Sequence, residues 1–134
     1  MTGIIKAETD QMPVAVLVNQ SVNVDELSSV QLRMIFAGRT QFWQDGSRIQ
    51  VFVLPTDGPV HQQFCRTLLN TYPYQLKRIW QRVVYSGQGD APTVVDSVAQ
   101  MSAMIAATPG AIGYLPQPVN EKEGILMITV ETTQ

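Results

Sequence analysis

Four apolar segments of the chain predict β-strands. Residues 13–18 form a continuous apolar run, which is typical of a strand covered on both faces, as parallel strands are. A second run over residues 49–54 ends at a proline. The segments 111–114 and 125–130 follow turn residues, and the first of them contains a glycine, which favours close approach of another element. The spacing of these segments leaves room for helices between them.

Two amphipathic helices are predicted between the first strand and the middle of the chain. Ser28 and Gln31 form a capping-box pattern, which begins a helix over residues 29–37. Pro59 stands at a favourable first-turn position, and it begins a second helix that ends near Asn70.

Two more helices follow in the second half of the chain. The clearest pattern places these apolar residues on one face: Leu76, Ile79, Trp80, Val83 and Val84. The opposite face then carries Lys77, Arg78, Gln81 and Arg82, and it is interpreted as a solvated surface or, alternatively, as a protein-docking surface. Thr93 and Asp96 are interpreted as the cap of the last helix, whose apolar stripe is Val94, Val98, Met101 and Ile105.

The order of elements is β-α-β-α-α-α-β-β, which predicts an α/β fold. We expect a mixed, mostly parallel sheet with helices on both faces, and ligands at the carboxyl edge of its strands. Residues 1–12 are polar and unpatterned, so they are predicted to be a poorly structured segment. Residues 13–134 are then a single domain, because 134 residues suit one core.

Composition and charge narrow the function classes. The formal net charge is −2, with basic residues dispersed along the chain, so no nucleic-acid partner is expected. The longest apolar runs are too short to cross a bilayer, so no membrane insertion is expected either. A single cysteine excludes an internal disulfide and a thiolate zinc site, and no cofactor or metal is expected.

The residue types that carry catalysis are sparse. His61 is the only histidine and is expected on the solvated surface, with a proton-sensing or anion-contacting role as the alternative. Cys65 falls in an apolar stripe, which predicts a buried and inert thiol. Trp80 is predicted to be core, and Trp43, beside a turn, to be half exposed. No nucleophile and base can be paired, so the chain is expected to be non-catalytic.

Several short motifs resemble the phosphate-binding periplasmic proteins of ABC uptake systems. They are LRMIFAG at 32–38, WQDG at 43–46, Phe64, Trp80, Gly87 and PGAIGY at 109–114. The likeness covers most of the chain but only about half of a full family member. It implies a short relative with one lobe of a type II periplasmic binding protein, located in the periplasm or secreted, with a cytoplasmic location left open.

The resemblance also implies where an anion would bind. The family's second-lobe site has an Arg four residues before a Ser-Gly-Thr that begins a helix. In this chain Val53 stands for the Arg, Asp57 for the Ser and Pro59 for the Thr, and only Gly58 matches. Pro59 lacks an N–H donor and Asp57 adds a negative charge, so phosphate or another small oxyanion is expected to bind weakly.

The residues expected to hold such a ligand are Ser21, Thr56, Asp57, Gly58 and His61. A single lobe contacts a ligand from one side only, and homodimerisation is one way to supply the second side of the binding site. The alternative hypothesis is a protein-interaction or assembly module that uses the same lobe without a small-molecule ligand.

Overall fold

The structure is a computed structural model that describes residues 13–119 and 122–131. Six strands form one sheet in the order β2-β6-β1-β5-β3-β4. The strands are β1 Val14–Asn19, β2 Glu26–Ser28, β3 Gln50–Val53, β4 Thr93–Val94, β5 Ala111–Pro116 and β6 Ile125–Glu131. The helices are α1 Ser29–Phe36, α2 Pro59–Phe64, α3 Pro73–Tyr85 and α4 Val98–Ala107. The predicted poorly structured segment 1–12 lies outside the described residues.

The sheet is mixed, as predicted. β3 is parallel to β4 and β5, and β2 is parallel to β6, whereas β1 is antiparallel to both of its neighbours, β5 and β6. The prediction that β1 is a parallel strand was therefore wrong. Its burial was read correctly, because a central position in the sheet buries both faces of a strand whatever its direction.

Helices cover both faces of the sheet, which confirms the predicted layering. On one face, the ring of Tyr114 from β5 stacks on Phe64 of α2 with 3.9 Å between centroids, and it lies near Phe36 of α1. On the other face, α4 packs across β5 at Gly113. A Cβ atom at Gly113 would lie 2.6 Å from Sδ of Met101, so glycine lets α4 approach β5 without displacing that side chain.

α1 and α2 begin close to the predicted positions. The capping box of Ser28 and Gln31 is present at the start of α1. α2 continues as a π-helical segment, Cys65–Leu69, which ends at Asn70 in the left-handed conformation. α3 packs on α1 through Trp80, whose Nε1 donates to the carbonyl oxygen of Phe36 at 2.6 Å.

Two sequence-based interpretations were wrong. Thr93 does not cap a helix but lies in the short strand β4, and α4 begins after Ser97, whose hydroxyl accepts from the backbone N–H of Gln100. Trp43 is not half exposed. Its exposed fraction is 7%, because its Nε1 donates to the carbonyl oxygen of Gly110 in the core.

The three-residue strand β2 was not predicted. It pairs with β6 alone and holds the entry to α1 against the sheet. Within residues 13–119 and 122–131, no helix is long and apolar enough to cross a membrane.

Candidate functional site

The loop between β3 and α2 lies at the carboxyl edge of β3, where ligands bind in open α/β sheets. Its backbone turns through a hydrogen bond from the N–H of Gly58 to the carbonyl oxygen of Pro55, at 2.9 Å. Thr56 and Gly58 are half-buried, and Asp57 is exposed. The loop therefore presents its polar groups to solvent at the edge of the sheet.

Gly58 is the N-cap of α2. No side chain accepts from the first turn of this helix, and Pro59 has no N–H to offer. The backbone N–H groups of Val60 and His61 belong to the first turn, where no intrahelical acceptor exists. These groups and the Thr56 hydroxyl are the donors that the loop can bring to a ligand.

His61 is fully buried, so the expectation that it is a solvated surface residue was wrong. Its Nδ1 lies 2.6 Å from the hydroxyl oxygen of Tyr114, and its Nε2 lies 3.4 Å from Sγ of Cys65. The backbone N–H of Leu54 donates to the same hydroxyl oxygen at 2.9 Å. The arrangement that satisfies every group has the hydroxyl of Tyr114 donating to Nδ1 and the Nε2–H of the neutral imidazole directed toward the sulfur.

Burial keeps this group of side chains neutral. It lowers the pKa of His61 to about 4 and raises the pKa of Cys65 to about 12. Burial also raises the pKa of Tyr114 above its ordinary value. A thiol with a raised pKa is a poor nucleophile, which agrees with the prediction of a buried and inert Cys65.

Ser21 lies at the opposite edge of the sheet from this loop. Its hydroxyl accepts from the backbone N–H of Gly110, at 2.9 Å, and Gly110 immediately precedes β5. β3 and β5 are parallel, so Gly110 lies beside the start of β3, and Thr56 comes after its end. The four residues of β3 separate the two edges by roughly 10 Å or more. The structure brings Thr56, Asp57, Gly58 and the backbone of His61 together, without Ser21.

The sequence did not point to the residues that follow β4 at the same carboxyl edge. Ser97 caps α4, and the amide oxygen of Gln100 accepts from the backbone N–H of Asp96. The pattern of a serine followed three residues later by glutamine was the available signal. Asp96, like Asp57, is exposed, so two carboxylates stand at this edge of the sheet and disfavour an anion.

A polar cleft of about 490 Å³ lies beside the amino half of β3. Its lining includes Thr40, Gln41, Arg48, Gln50, Asp90 and Thr93. The guanidinium of Arg48 lies 4.0 Å from the carboxylate of Asp90 and 5.4 Å from the ring centre of Phe42. This cleft is at the other end of β3 from the loop that enters α2, so it is not the predicted oxyanion site.

The acidic, histidine and cysteine side chains of the described residues do not assemble into a metal centre. No group of three or more of them could hold a metal ion in that part of the chain.

The fold was compared with known proteins. No protein-family model matches the sequence, and no curated protein matches it. Among solved structures, an ABC-type phosphate transport receptor from Vibrio cholerae is similar, with a TM-score of 0.69 and 18% identity. The match covers 89% of this chain and 46% of the receptor.

Two further structures give nearly the same match. A putative phosphate ABC transporter substrate-binding protein with bound phosphate, from Clostridium perfringens, has a TM-score of 0.68 and 15% identity over 89% of this chain and 45% of its own. PstS from Borrelia burgdorferi has a TM-score of 0.68 and 16% identity, and the match covers 89% of this chain and 47% of PstS. This chain spans about half the length of each of these proteins, and it has the fold of the matching half of a phosphate ABC receptor.

Proposed function

We propose that the chain is a non-catalytic solute-binding module that holds phosphate or another small oxyanion weakly at residues 56–61. The observation that carries this proposal is the position of the loop between β3 and α2, at the carboxyl edge of a sheet shared with phosphate receptors. In this proposal the module works in the periplasm, as its resemblance to uptake receptors implies.

The loop offers few hydrogen-bond donors, so we expect weak binding of an anion. The hydroxyl of Thr56 and the first-turn N–H groups of Val60 and His61 favour an anion. Asp57 and Asp96 oppose it by charge, and Pro59 removes one donor. A ligand held from one side also keeps much of its surface in water. The expected affinity for phosphate is therefore on the order of millimolar.

Calorimetric titration of the full chain with phosphate and with sulfate at low salt tests the proposal. A Gly58→Val variant should lose the heat of binding, because a side chain at Gly58 starts 3.2 Å from the carbonyl oxygen of Pro55 and crowds the loop. A milder Thr56→Val variant should weaken binding without disturbing the backbone. Thr129→Val, at an exposed position of β6, is the matched control. Silence with both anions would reject the proposal.

A second candidate is an interaction or assembly module without a small-molecule ligand. It is favoured by β6, which exposes 47% of Leu126 and 55% of Met127 at neighbouring positions, because exposed apolar side chains of this size can mark an interaction surface. Sedimentation of the full chain over a concentration series tests this candidate. Self-association that disappears in a Leu126→Lys/Met127→Lys variant would support a homodimer through β6, and a monomer at all concentrations would contradict it.

A further inference from the structure

Positive charge is concentrated in one stretch of the chain. Four of the nine basic residues and none of the eleven acidic residues lie in residues 58–89, although the whole chain has a net charge of −2. This stretch comprises α2, the π-helical segment and α3. The chain is therefore acidic overall but has one basic helical region.

Three of these cations lie on the side of α3 that faces solvent. Side chains on an α-helix advance by about 100° per residue, so positions 74, 77, 78, 81, 82 and 85 share one face. All six of these residues are exposed, and the opposite side of α3 buries Leu76, Trp80 and Val83. The name α3 outer face is used below for the following set of residues: Tyr74, Lys77, Arg78, Gln81, Arg82 and Tyr85.

The cations of the α3 outer face have no carboxylate partners in the described part of the chain. The one ion pair found there joins Arg48 to Asp90. Arg66, on the π-helical segment, lies beside Tyr72 and extends the basic surface past the start of α3. Unpaired cations at fixed helical spacing attract a surface of opposite charge.

Tyrosine side chains lie at both ends of this surface. Tyr85 is 95% exposed at the end of α3, and Tyr74 is 60% exposed at its start. The ring of Tyr74 stacks on that of Tyr72, with 5.8 Å between centroids and 18° between planes. Tyrosine and arginine are the residues most enriched at the energetic centres of protein interfaces.

We propose that the α3 outer face, with Arg66 and Tyr72 beside it, is a docking surface for an acidic protein. The partner's recognition element is a surface that carries glutamate or aspartate side chains around an apolar strip. Carboxylates pair with Lys77, Arg78 and Arg82, and the apolar strip packs on the tyrosine rings. This surface is independent of the proposed oxyanion loop, since it shares no residue with residues 56–61.

The chemistry of the side chains favours an acidic protein over an anionic membrane. Stable electrostatic attachment to a membrane uses clusters of about four to eight basic residues, each worth about 1 kcal/mol at the surface. With Arg66 the proposed surface supplies four, at the lower limit of that range, and the apolar side of α3, with Leu76, Trp80 and Val83, is buried and offers no anchor to lipid. Directional pairs between arginine and carboxylate, together with tyrosine packing, contribute more binding free energy per residue with a protein partner than with a lipid surface.

Nuclear magnetic resonance of the isotope-labelled full chain tests the proposal. The probe is a synthetic 20-residue amphipathic helix with glutamate flanking a leucine strip. We expect chemical-shift changes centred on residues 72–85 and an affinity that falls as salt rises from 50 to 200 mM. Lys77→Glu/Arg82→Glu should weaken binding by about tenfold or more. The matched control is Arg48→Glu/Lys122→Glu, which makes the same change in net charge on other exposed positions and should change affinity by less than about twofold.

A third variant, Tyr74→Ala/Tyr85→Ala, keeps every charge and should weaken peptide binding by about fivefold. Attraction between charges alone would not produce this loss. Equal losses in the two charge-reversed variants would overturn the proposal, as would shift changes outside residues 66–85. Binding to vesicles with 30% phosphatidylglycerol or to a 12-nucleotide single strand, without binding to the peptide, would overturn it as well. The peptide titration contains no phosphate, so its failure is distinguishable from failure of the oxyanion site.

Discussion

The hydroxyl oxygen of Tyr114 lies 2.6 Å from Nδ1 of His61, and the two residues are 53 positions apart in the chain. The same hydroxyl accepts from the backbone of Leu54, so one phenol joins β5 to α2 and to the start of the loop between β3 and α2. The three residues are buried, and each of these groups has a hydrogen-bond partner. The backbone N–H of Leu54 and Nδ1 of His61 therefore both depend on the Tyr114 hydroxyl for their hydrogen bond.

The pKa of His61 predicts how stability depends on pH. Its folded pKa is about 4 and its ordinary value is 6.5, so the unfolded chain binds the proton first as pH falls. This contribution to the free energy of unfolding should be complete above pH 6.5 and should decrease between pH 6.5 and about 4, by up to about 3 kcal/mol. Denaturant unfolding at a series of pH values measures it.

A His61→Gln variant is the control for this pH dependence. It removes the titrating imidazole, so the slope between pH 6.5 and 5 should flatten even though the variant is less stable throughout. An unchanged slope in His61→Gln would show that other groups cause the acid sensitivity.

Removing the Tyr114 hydroxyl should cost more than its size suggests. In Tyr114→Phe the N–H of Leu54 and Nδ1 of His61 both lose their partner inside the core, so we expect a loss of about 2–4 kcal/mol in unfolding free energy. Tyr85→Phe makes the same chemical change at a 95% exposed ring and should stay within about 0.5 kcal/mol. Comparable losses in both variants would contradict a special role for the buried hydroxyl.

Local patterns predicted most of the fold. The capping box of Ser28 and Gln31 located the start of α1, and the apolar spacing around Trp80 located α3, because both signals act within a few residues along the chain. The strand β2 was missed because three residues carry no periodicity of their own. It is a strand only because β6, about a hundred residues later, pairs with it.

The candidate site was less predictable for the same reason. Nothing near His61 in the sequence indicates that Tyr114 and Cys65 surround its ring, so the ring was expected in solvent. Ser21 was grouped with Thr56 because the direction of β1 cannot be read from an apolar run. The antiparallel pairing of β1 with β5 places Ser21 at the opposite edge.

Gly113 should not tolerate a side chain. The Cβ atom of Gly113→Ala would lie 2.6 Å from Sδ of Met101 and 2.9 Å from Cδ1 of Ile105, so these side chains or α4 must shift, and we expect a loss of about 1–3 kcal/mol. Thermal unfolding of the single variants and of Gly113→Ala/Met101→Ala completes a double-mutant cycle. Strong positive coupling, with the double variant more stable than the sum predicts, is expected. If the stability losses of the two single variants simply add, the clash of Gly113→Ala is not with Met101.

Charge at the oxyanion loop gives a gain-of-binding test. Asp57→Asn removes an exposed carboxylate beside the first turn of α2, so phosphate affinity should rise by about twofold to fivefold. Asp90→Asn makes the same change beside the cleft at the other end of β3 and should leave phosphate affinity unchanged. Calorimetry measures both, and an equal gain in the two variants would indicate a general charge effect.

The order of strands in the sheet has a kinetic consequence. Among the described strands, β6 comes last in sequence, yet it lies between β1 and β2, which come first. During synthesis, one side of β1 and the whole of β2 wait unpaired until residues 125–131 have left the ribosome. Assembly must then close contacts across nearly the full length of the chain, so we expect slow and highly cooperative folding for a domain of this size.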